Sequence, residues 1–234
     1  MRLIWLGGLV AAVAVAIVIV VAAGGGGNKA GTPGSTTGKA AVISLLKGIP
    51  QTDTTLGKAS APVTITEYGD LVCPICKDFA LASEAQLIST AVRSGKVKLV
   101  YRGFETASQS ANNGEYAASQ IAARAAGLQH RAWQYILLWY NQQGDETTSY
   151  VTDAYMQGLA QEIPGLNLTK WQADRNNATL ANAVTADTQA AGILGVTGTP
   201  AIFATGRKGT VQFSDPNTAV PSLAQLQTLI ARVS

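Results

Sequence analysis

Alternating apolar and polar positions predict a β-strand over 62–68. The segment is rich in β-branched residues and is followed by the turn residues at 69–70. Because side chains alternate between the two faces of a strand, Glu67 falls on the same face as Val63 and Ile65. The acidic side chain is therefore expected among apolar neighbours.

A helix is predicted directly after this strand. Residues 77–93 contain neither glycine nor proline, and Gly95 closes the segment. A second strand is predicted over 96–104. Because more than a dozen residues connect the two strands, they are expected to be the parallel strands of a βαβ unit.

A helical insertion is predicted over about 106–194. Its first part is expected to be one long helix with an apolar face formed by Ala117, Ile121, Ala125, Leu128, Ala132, Ile136 and Trp139. Further helices are expected to break at 164–165 and near 176–177, with Thr152 or Thr169 as caps.

The remaining pattern completes one α/β domain over 41–234. Apolar residues at 42–46 are expected to pack on its core. Segments 201–204 and 210–213 predict a β-hairpin, and 223–233 predicts a final amphipathic helix.

The N-terminus carries an uncharged apolar run at 3–23, preceded by Arg2. At about 1.5 Å per residue, a helix of this length crosses a bilayer core. The run is longer than the apolar core of a secretory signal, which favours a retained membrane anchor at 1–23; cleavage after Ala23 is the alternative. Residues 24–40 include seven glycines and predict a flexible linker.

Net charge argues against one class of partner. The formal charge of +3 at pH 7 is too small to favour binding to nucleic acid, so none is predicted.

The two cysteines of the chain, Cys73 and Cys76, are separated by two residues. A structural disulfide closing so short a loop would stabilise the fold least. Zinc requires four ligands and His130 is the only histidine, whereas copper delivery favours a methionine cluster and only Met1 and Met156 are present. The pair is therefore expected to be redox-active, with no metal or cofactor.

The predicted position of the pair suits thiol chemistry. A helix N-terminus lowers the pKa of a cysteine, so Cys73 is expected to be the attacking thiolate. Cys76, deeper in the helix, is expected to be shielded and to act as the resolving thiol. A substrate would pass through a mixed disulfide with Cys73.

The sequence at 67–79, the helical insertion and the sequence at 195–201 resemble the DsbA-like branch of the thioredoxin superfamily. The resemblance extends from about residue 48 to the C-terminus. It implies a protein thiol-disulfide oxidoreductase with a thioredoxin fold and an inserted helical subdomain, preceded here by one transmembrane helix.

The resemblance also implies roles for individual residues. Pro200 is expected to follow a cis peptide bond and face the cysteines, with Thr199 pairing to a substrate strand. Glu67 matches a buried acid that assists proton transfer to the inner cysteine. Pro74 and Ile75 are expected to contact substrate, and Ile75 stands where the best-known oxidases carry histidine.

Three other polar residues near these segments are expected at the surface. Asp70 and Lys77 flank the cysteine motif and would tune the local field, whereas His130 would lie on the polar face of a helix.

The predicted function is oxidation of thiols in exported proteins outside the cytoplasm, at the cell membrane. A membrane quinone-linked thiol oxidoreductase is the expected recharging partner. A membrane-anchored reductase or isomerase is the alternative within the same chemistry. A peptide-binding module without catalysis is the alternative from a different class.

Overall fold

A mixed β-sheet lies at the centre of the protein, whose computed structural model describes residues 36–111 and 115–234. Within those ranges the sheet has the spatial order β1-β2-β4-β3-β5-β6. Its strands are β1 (Gln51–Thr52), β2 (Thr55–Leu56), β3 (Val63–Gly69), β4 (Val97–Gly103), β5 (Ala201–Gly206) and β6 (Gly209–Gln212). The predicted anchor at 1–23 and most of the predicted linker at 24–40 lie outside the described residues.

Strand β3 is paired on both edges. It runs parallel to β4, which confirms the predicted βαβ unit, and antiparallel to β5. Val63, Ile65 and Glu67 are all buried, as the alternation predicts. The short β1–β2 hairpin was not predicted, and it extends the sheet beyond β4.

Helix α2 connects β3 to β4 and is continuous over 74–92. Its turns alternate between α and π geometry, in the order Pro74–Phe79 (α), Ala80–Glu84 (π), Ala85–Leu87 (α) and Ile88–Val92 (π). An α-helix has about 3.6 residues per turn, and a π-helical turn contains more. Alternating the two brings the average close to about four residues per turn, so every fourth residue stays near one face. The residues of that face are all buried: Cys76, Ala80, Glu84 and Ile88.

The predicted insertion is helical. It contains a 3₁₀ turn at Ala107–Ala111 and the helices α3 (Glu115–Gly127), α4 (Ala132–Gln142), α5 (Asp153–Gln161), α6 (Leu168–Asp174) and α7 (Ala178–Ile193). Buried aromatic rings join three of these helices. Tyr135 lies 6.0 Å from Trp139 and 5.9 Å from Trp171, measured between ring centroids, and Trp139 packs edge-on against Tyr155.

The prediction of one long helix at the start of the insertion is wrong. Helix α3 ends at Gly127, where the backbone of Asp53 approaches so closely that a Cβ at 127 would lie 2.9 Å from its carbonyl oxygen. His130 then adopts a left-handed φ of 59°, and Gln51 Oε1 accepts a hydrogen bond from the Trp133 amide at the start of α4. The turn exposes Leu128, which was predicted to be on the apolar face.

The two candidate caps differ in outcome. Thr152 accepts a hydrogen bond from the Tyr155 amide at the start of α5, which confirms the prediction. Thr169 does not cap a helix because it lies inside α6, where Asn167 accepts a hydrogen bond from the Lys170 amide.

The elements predicted at the two ends of the domain are present in the structure. The hairpin of β5 and β6 is confirmed, and helix α8 (Leu223–Val233) has the predicted bounds and packs against that hairpin. Helix α1 (Lys39–Leu46) includes the predicted lead-in and begins inside the predicted linker. None of the helices within 36–111 and 115–234 combines the length and apolar character needed to cross a membrane.

We predict that Leu226→Ala lowers the free energy of unfolding by about 2–5 kcal/mol, because the fully buried leucine of α8 would leave a cavity. Leu128→Ala is the control, since Leu128 is 44% exposed and its truncation should change stability little. Denaturant unfolding of both variants measures the difference. Equal losses would contradict the packing of α8.

Candidate active site

The cysteine motif begins where strand β3 ends. Residues 70–72 form a short turn, Cys73 caps helix α2 with extended backbone, and Pro74 occupies the first helical turn. Proline suits this position because its missing N–H would have no partner there and its φ is already helical. The predicted strand-to-helix junction is confirmed.

The two cysteines are free thiols with different environments. Cys73 is 6% exposed and Cys76 is completely buried. Hydrogen bonds from the Cys76 thiol, the Thr199 side chain and the Cys76 and Ile75 amides lower the pKa of Cys73 to about 6, against an opposing effect of burial. Burial raises the pKa of Cys76 well above its usual range. The pair therefore combines a thiolate with a neutral thiol near pH 7.

The loop before β5 faces Cys73. The Thr199–Pro200 peptide bond is cis, as the resemblance implies, and Pro200 is buried. The Cys73 thiol lies 3.7 Å from the Thr199 carbonyl oxygen. Strand pairing accounts for this proximity, because Ala201 at the start of β5 is opposite Tyr68 near the end of β3.

The two residues between the cysteines lie nearer the surface than the thiols. Pro74 is half-buried, and Ile75 is 40% exposed. An apolar side chain is thus presented to solvent beside Cys73.

Glu67 lies beneath the cysteines on β3. It is 1% exposed, and its burial raises its pKa well above the usual range, with further increases from the neighbouring Glu84 carboxyl and from Cys73. Gly69 leaves room for this carboxyl: a Cβ there would lie 3.0 Å from Glu67 Oε1 and 2.7 Å from the Tyr101 ring.

Glu84 is a neighbour of Glu67 that was not predicted. It is also 1% exposed and lies at the end of the first π segment of α2. Its carboxyl is within hydrogen-bonding reach of Glu67, and burial raises its pKa. The sequence did hold a signal, because Cys76, Ala80 and Glu84 recur at intervals of four residues.

Asp70 is fully buried, so its predicted surface position is wrong. Its carboxylate accepts hydrogen bonds from the Val72 amide at 3.0 Å, the Thr106 amide at 2.8 Å, and the Ser108 amide and hydroxyl at 2.9 and 2.5 Å. Thr106 in turn contacts the Thr199 hydroxyl, with 2.5 Å between the side-chain oxygens. Asp70 thereby ties the cysteine turn, the loop after β4 and the loop before β5 together.

The helical insertion contacts the motif through Gln143, which was also not predicted. Its side-chain amide donates to the carbonyl oxygens of Leu71 at 2.8 Å and Cys73 at 3.0 Å. The insertion therefore fixes the backbone on either side of residue 72, up to Cys73.

Lys77 and His130 are the other two polar residues that were predicted at the surface. Lys77 is half-buried on α2 and lines a surface groove with Pro74 and Asp145. His130 is exposed as predicted, but it lies in the turn between α3 and α4 and not on a helix. Its Nδ1 lies 2.9 Å from the Gln51 carbonyl oxygen, far along the sheet from the cysteines.

A known protein family matches the part of the chain that contains this site. The thioredoxin family model matches residues 50–223, which include the cysteine turn, the insertion and the loop before β5. The chain belongs to the thioredoxin family. This confirms the mixed α/β fold with a helical insertion, and the resemblance to its DsbA-like branch is confirmed by the relatives below.

One relative is a protein of Bacillus anthracis described as "Probable disulfide bond formation protein D". It is 24% identical over 170 residues, covering 72% of this chain and 77% of the relative. Solved structures share the fold. The oxidised BdbD of Bacillus subtilis has a TM-score of 0.65 and 19% identity, covering 79% of this chain and 95% of its own. The alpha-DsbA1 of Wolbachia pipientis has a TM-score of 0.60 and 16% identity, covering 80% and 92%.

These relationships, joined to the Cys73–Cys76 pair, assign the enzyme class. The chain is a DsbA-like thiol-disulfide oxidoreductase.

We predict that Cys73 of the reduced protein titrates with a pKa near 6. Cys76→Ala should move this pKa upward, towards about 8.5, because it removes the donor that contributes most. Cys76→Ser keeps a hydroxyl donor and should stay closer to the wild type. The ultraviolet absorbance of the thiolate, followed against pH, measures all three, and identical titrations would contradict the role of Cys76.

The same shift predicts how pH changes the stability of the reduced protein. The folded pKa lies below the unfolded value of about 8.5, so the Cys73 thiolate stabilises the fold fully above that pH. Its contribution is lost as pH falls towards about 6. Thermal unfolding of the reduced wild type and of Cys73→Ala at several pH values measures it, and parallel profiles would argue against a depressed pKa.

We predict that Asp70→Asn loosens the loop after β4. An amide in place of the carboxylate turns one acceptor into a donor facing other donors, which costs about 1–3 kcal/mol of stability. Faster hydrogen exchange at the Thr106 and Ser108 amides is the expected sign. Asp78→Asn is the control, because Asp78 is exposed on helix α2, which follows the turn that contains Asp70. An unchanged exchange rate in Asp70→Asn would refute the assignment.

Proposed function

We propose that this enzyme is a membrane-tethered, extracytoplasmic thiol oxidase that forms disulfides in exported proteins. The opposite pKa shifts of two contacting cysteines carry the proposal. A stabilised Cys73 thiolate stabilises the reduced pair, which makes the disulfide form a stronger oxidant of other thiols. The printed description of the Bacillus anthracis relative, a disulfide bond formation protein, supports the same direction.

The reaction transfers two electrons from a substrate dithiol to the enzyme disulfide. A substrate thiolate attacks Cys73 Sγ, the bond between Cys73 and Cys76 breaks, and its electron pair stays on Cys76 Sγ, which takes up a proton. The second substrate thiolate then attacks the substrate sulfur of the mixed disulfide. Cys73 leaves as the thiolate, and the substrate disulfide is released.

Other site residues have proposed roles in this reaction. Glu67 donates the proton to Cys76, supported by its burial and raised pKa. Thr199 pairs with the backbone of the substrate and Pro200 holds that loop in shape. Pro74 and Ile75 contact the substrate, and the exposure of Ile75 supports an apolar contact.

The proposed location and partners depend on the N-terminal sequence. The uncharged run at 3–23 behind Arg2 supports a single membrane anchor with the domain outside. The expected substrates are exported proteins with free thiols. A membrane quinone-linked thiol oxidoreductase would reoxidise the pair by accepting its two electrons.

The deciding experiment is the equilibrium reduction potential of the Cys73–Cys76 pair in the full chain, measured against a glutathione buffer. We expect a value near −120 mV or so, at the oxidising end of the range of such pairs. A value of about −270 mV would overturn the oxidase assignment in favour of a reductase. The apolar side chain of Ile75 would suit a reductase, because that side chain adds no hydrogen bond to the thiolate beyond the one from the backbone amide.

A second measurement separates catalysis from simple peptide binding. The oxidised enzyme should form a disulfide in a reduced peptide dithiol, and Cys73→Ser with Cys76→Ser should abolish the reaction. Suppression of aggregation that survives in the double variant, without any dithiol oxidation by the wild type, would favour the binding module.

A further inference from the structure

Few contacts hold the segment 197–199, which directly precedes the cis peptide bond. Thr199 is half-buried, whereas Gly198 is exposed and a Cβ on it would meet no atom within 4 Å. Among the described residues, two hydrogen bonds join this segment to distant parts of the chain. One runs from the Cys73 thiol to the Thr199 carbonyl oxygen, and the other joins the hydroxyls of Thr199 and Thr106.

The contact with Cys73 exists only while its sulfur carries a proton. Cys73 Sγ lies 3.7 Å from the Thr199 carbonyl oxygen, and a carbonyl oxygen can only accept a hydrogen bond. A disulfide or a mixed disulfide has no S–H donor, so this contact is lost in both of those states. The Thr106 hydroxyl is then the hydrogen-bond partner that remains to the segment within the described ranges.

Thr106 is itself fixed to the turn that carries Cys73. Its amide donates to Asp70 Oδ2 at 2.8 Å, and the Cys73 amide donates to the Asp70 carbonyl oxygen at 3.0 Å. Asp70 is fully buried, and its carboxylate accepts further hydrogen bonds from both adjoining loops. The Thr106 hydroxyl therefore has a defined position relative to the active-site sulfur.

The direction of the bond between the two threonines follows from their protons, because each hydroxyl has one to donate. The other acceptor near Thr106 Oγ1 is Asp70 Oδ2 at 3.5 Å, the outer limit of a hydrogen bond, whereas the two hydroxyl oxygens are 2.5 Å apart. Donation from Thr106 leaves the Thr199 proton available, which agrees with the lowering of the Cys73 pKa by the Thr199 side chain. Thr106 is therefore the donor of the pair.

We propose that Thr106 is a positioning residue for the thiol-disulfide reaction, whose hydroxyl donates to Thr199 and keeps the segment 197–199 beside Cys73 while the sulfur is in a disulfide. The inference rests on the proposed role of Thr199 in pairing with the substrate backbone. Thr106 acts through Thr199 and forms no bond to either sulfur. Loss of its hydroxyl should therefore weaken peptide binding and leave the exchange chemistry in place.

Oxidation of a reduced peptide dithiol by the full chain, with glutathione disulfide as terminal oxidant, tests the inference. Thr106→Val keeps the shape of the side chain without the hydroxyl, so KM should rise about three- to tenfold, the value of one hydrogen bond, with kcat within about twofold. Thr106→Ser keeps a hydroxyl and should return KM to within about twofold of the wild type.

Thr210→Val is the matched control for this experiment. It breaks a similar pair of threonine hydroxyls, those of Thr205 and Thr210, which are 2.9 Å apart across the hairpin of β5 and β6. Its KM should equal that of the wild type. An unchanged KM in Thr106→Val, or an equal rise in Thr210→Val, would contradict the inference.

A small dithiol separates positioning of the segment from an effect on the sulfurs. Dithiothreitol has no peptide backbone, so its reaction with oxidised Thr106→Val should stay within about twofold of the wild type. If Thr106→Val slows the peptide and dithiothreitol equally, the hydroxyl acts on the sulfurs and the inference is wrong.

A double-mutant cycle with Thr199→Val tests whether Thr106 acts through Thr199. The double variant should have the same KM as Thr199→Val alone, because the Thr106 hydroxyl would have lost its partner already. Additive increases in KM would show that the two hydroxyls act independently, which would overturn the inference.

Backbone relaxation measured by NMR gives a readout that does not depend on turnover. In the oxidised protein, Thr106→Val should lower the order parameter of the Thr199 amide from about 0.85 to below about 0.6. In the reduced protein at about pH 4, the protonated Cys73 thiol still donates to the Thr199 carbonyl, so the decrease should be smaller. Equal order parameters in the oxidised wild type and variant would refute the inference.

The outcomes distinguish this inference from the proposed function. If the wild type oxidises peptide dithiols while Thr106→Val matches its KM and order parameters, only the role of Thr106 fails. If the wild type oxidises no dithiol, the proposed function fails, and the order parameters still decide whether Thr106 holds the segment. Should Thr106→Val not fold, Thr106→Ala removes the same hydroxyl and allows the same comparison.

Discussion

The pairing of strand β3 on both of its edges is the constraint on which the site depends. Because β4 runs parallel and β5 antiparallel to β3, the cysteine turn at the end of β3 lies between the loop after β4 and the loop before β5. The antiparallel register brings Ala201, and with it the cis peptide before Pro200, to the same end. Asp70 then joins these neighbouring loops through hydrogen bonds to a fully buried carboxylate. The sheet therefore determines which loops meet, and Asp70 determines how closely they meet.

The chemistry of the site follows from unequal hydrogen bonding in a shared buried environment. Desolvation opposes ionisation of both thiols, but Cys73 lies at a helix start with donors directed at its sulfur. Cys76 lies four residues before Ala80 on the buried face of α2 and stays neutral. A single helix thus gives one sulfur the properties of a nucleophile and the other those of a protected leaving group.

Local patterns were sufficient wherever neighbours in sequence decide the structure. The alternation around Glu67, the proline after Cys73 and the amphipathic spacing of 223–233 each specified an element and its buried face. The patterns failed where distant residues decide. Leu128 has helical spacing, but the approach of residue 53 to Gly127 ends the helix. Asp70 has the composition of a surface turn, and only the loop at 106–108 makes its burial favourable.

The π turns of α2 have a consequence for protein engineering. They keep residue 84 on the same face as residue 76, so the thiols and the second carboxyl form one unit that depends on the pitch of the helix. A graft of the four-residue cysteine motif onto a regular helix would transfer the sulfur atoms without this acidic support. The smallest transferable redox module is therefore the strand carrying Glu67 together with helix α2 through its first π segment, Ala80–Glu84, and a single deletion between residues 77 and 83 would divide it.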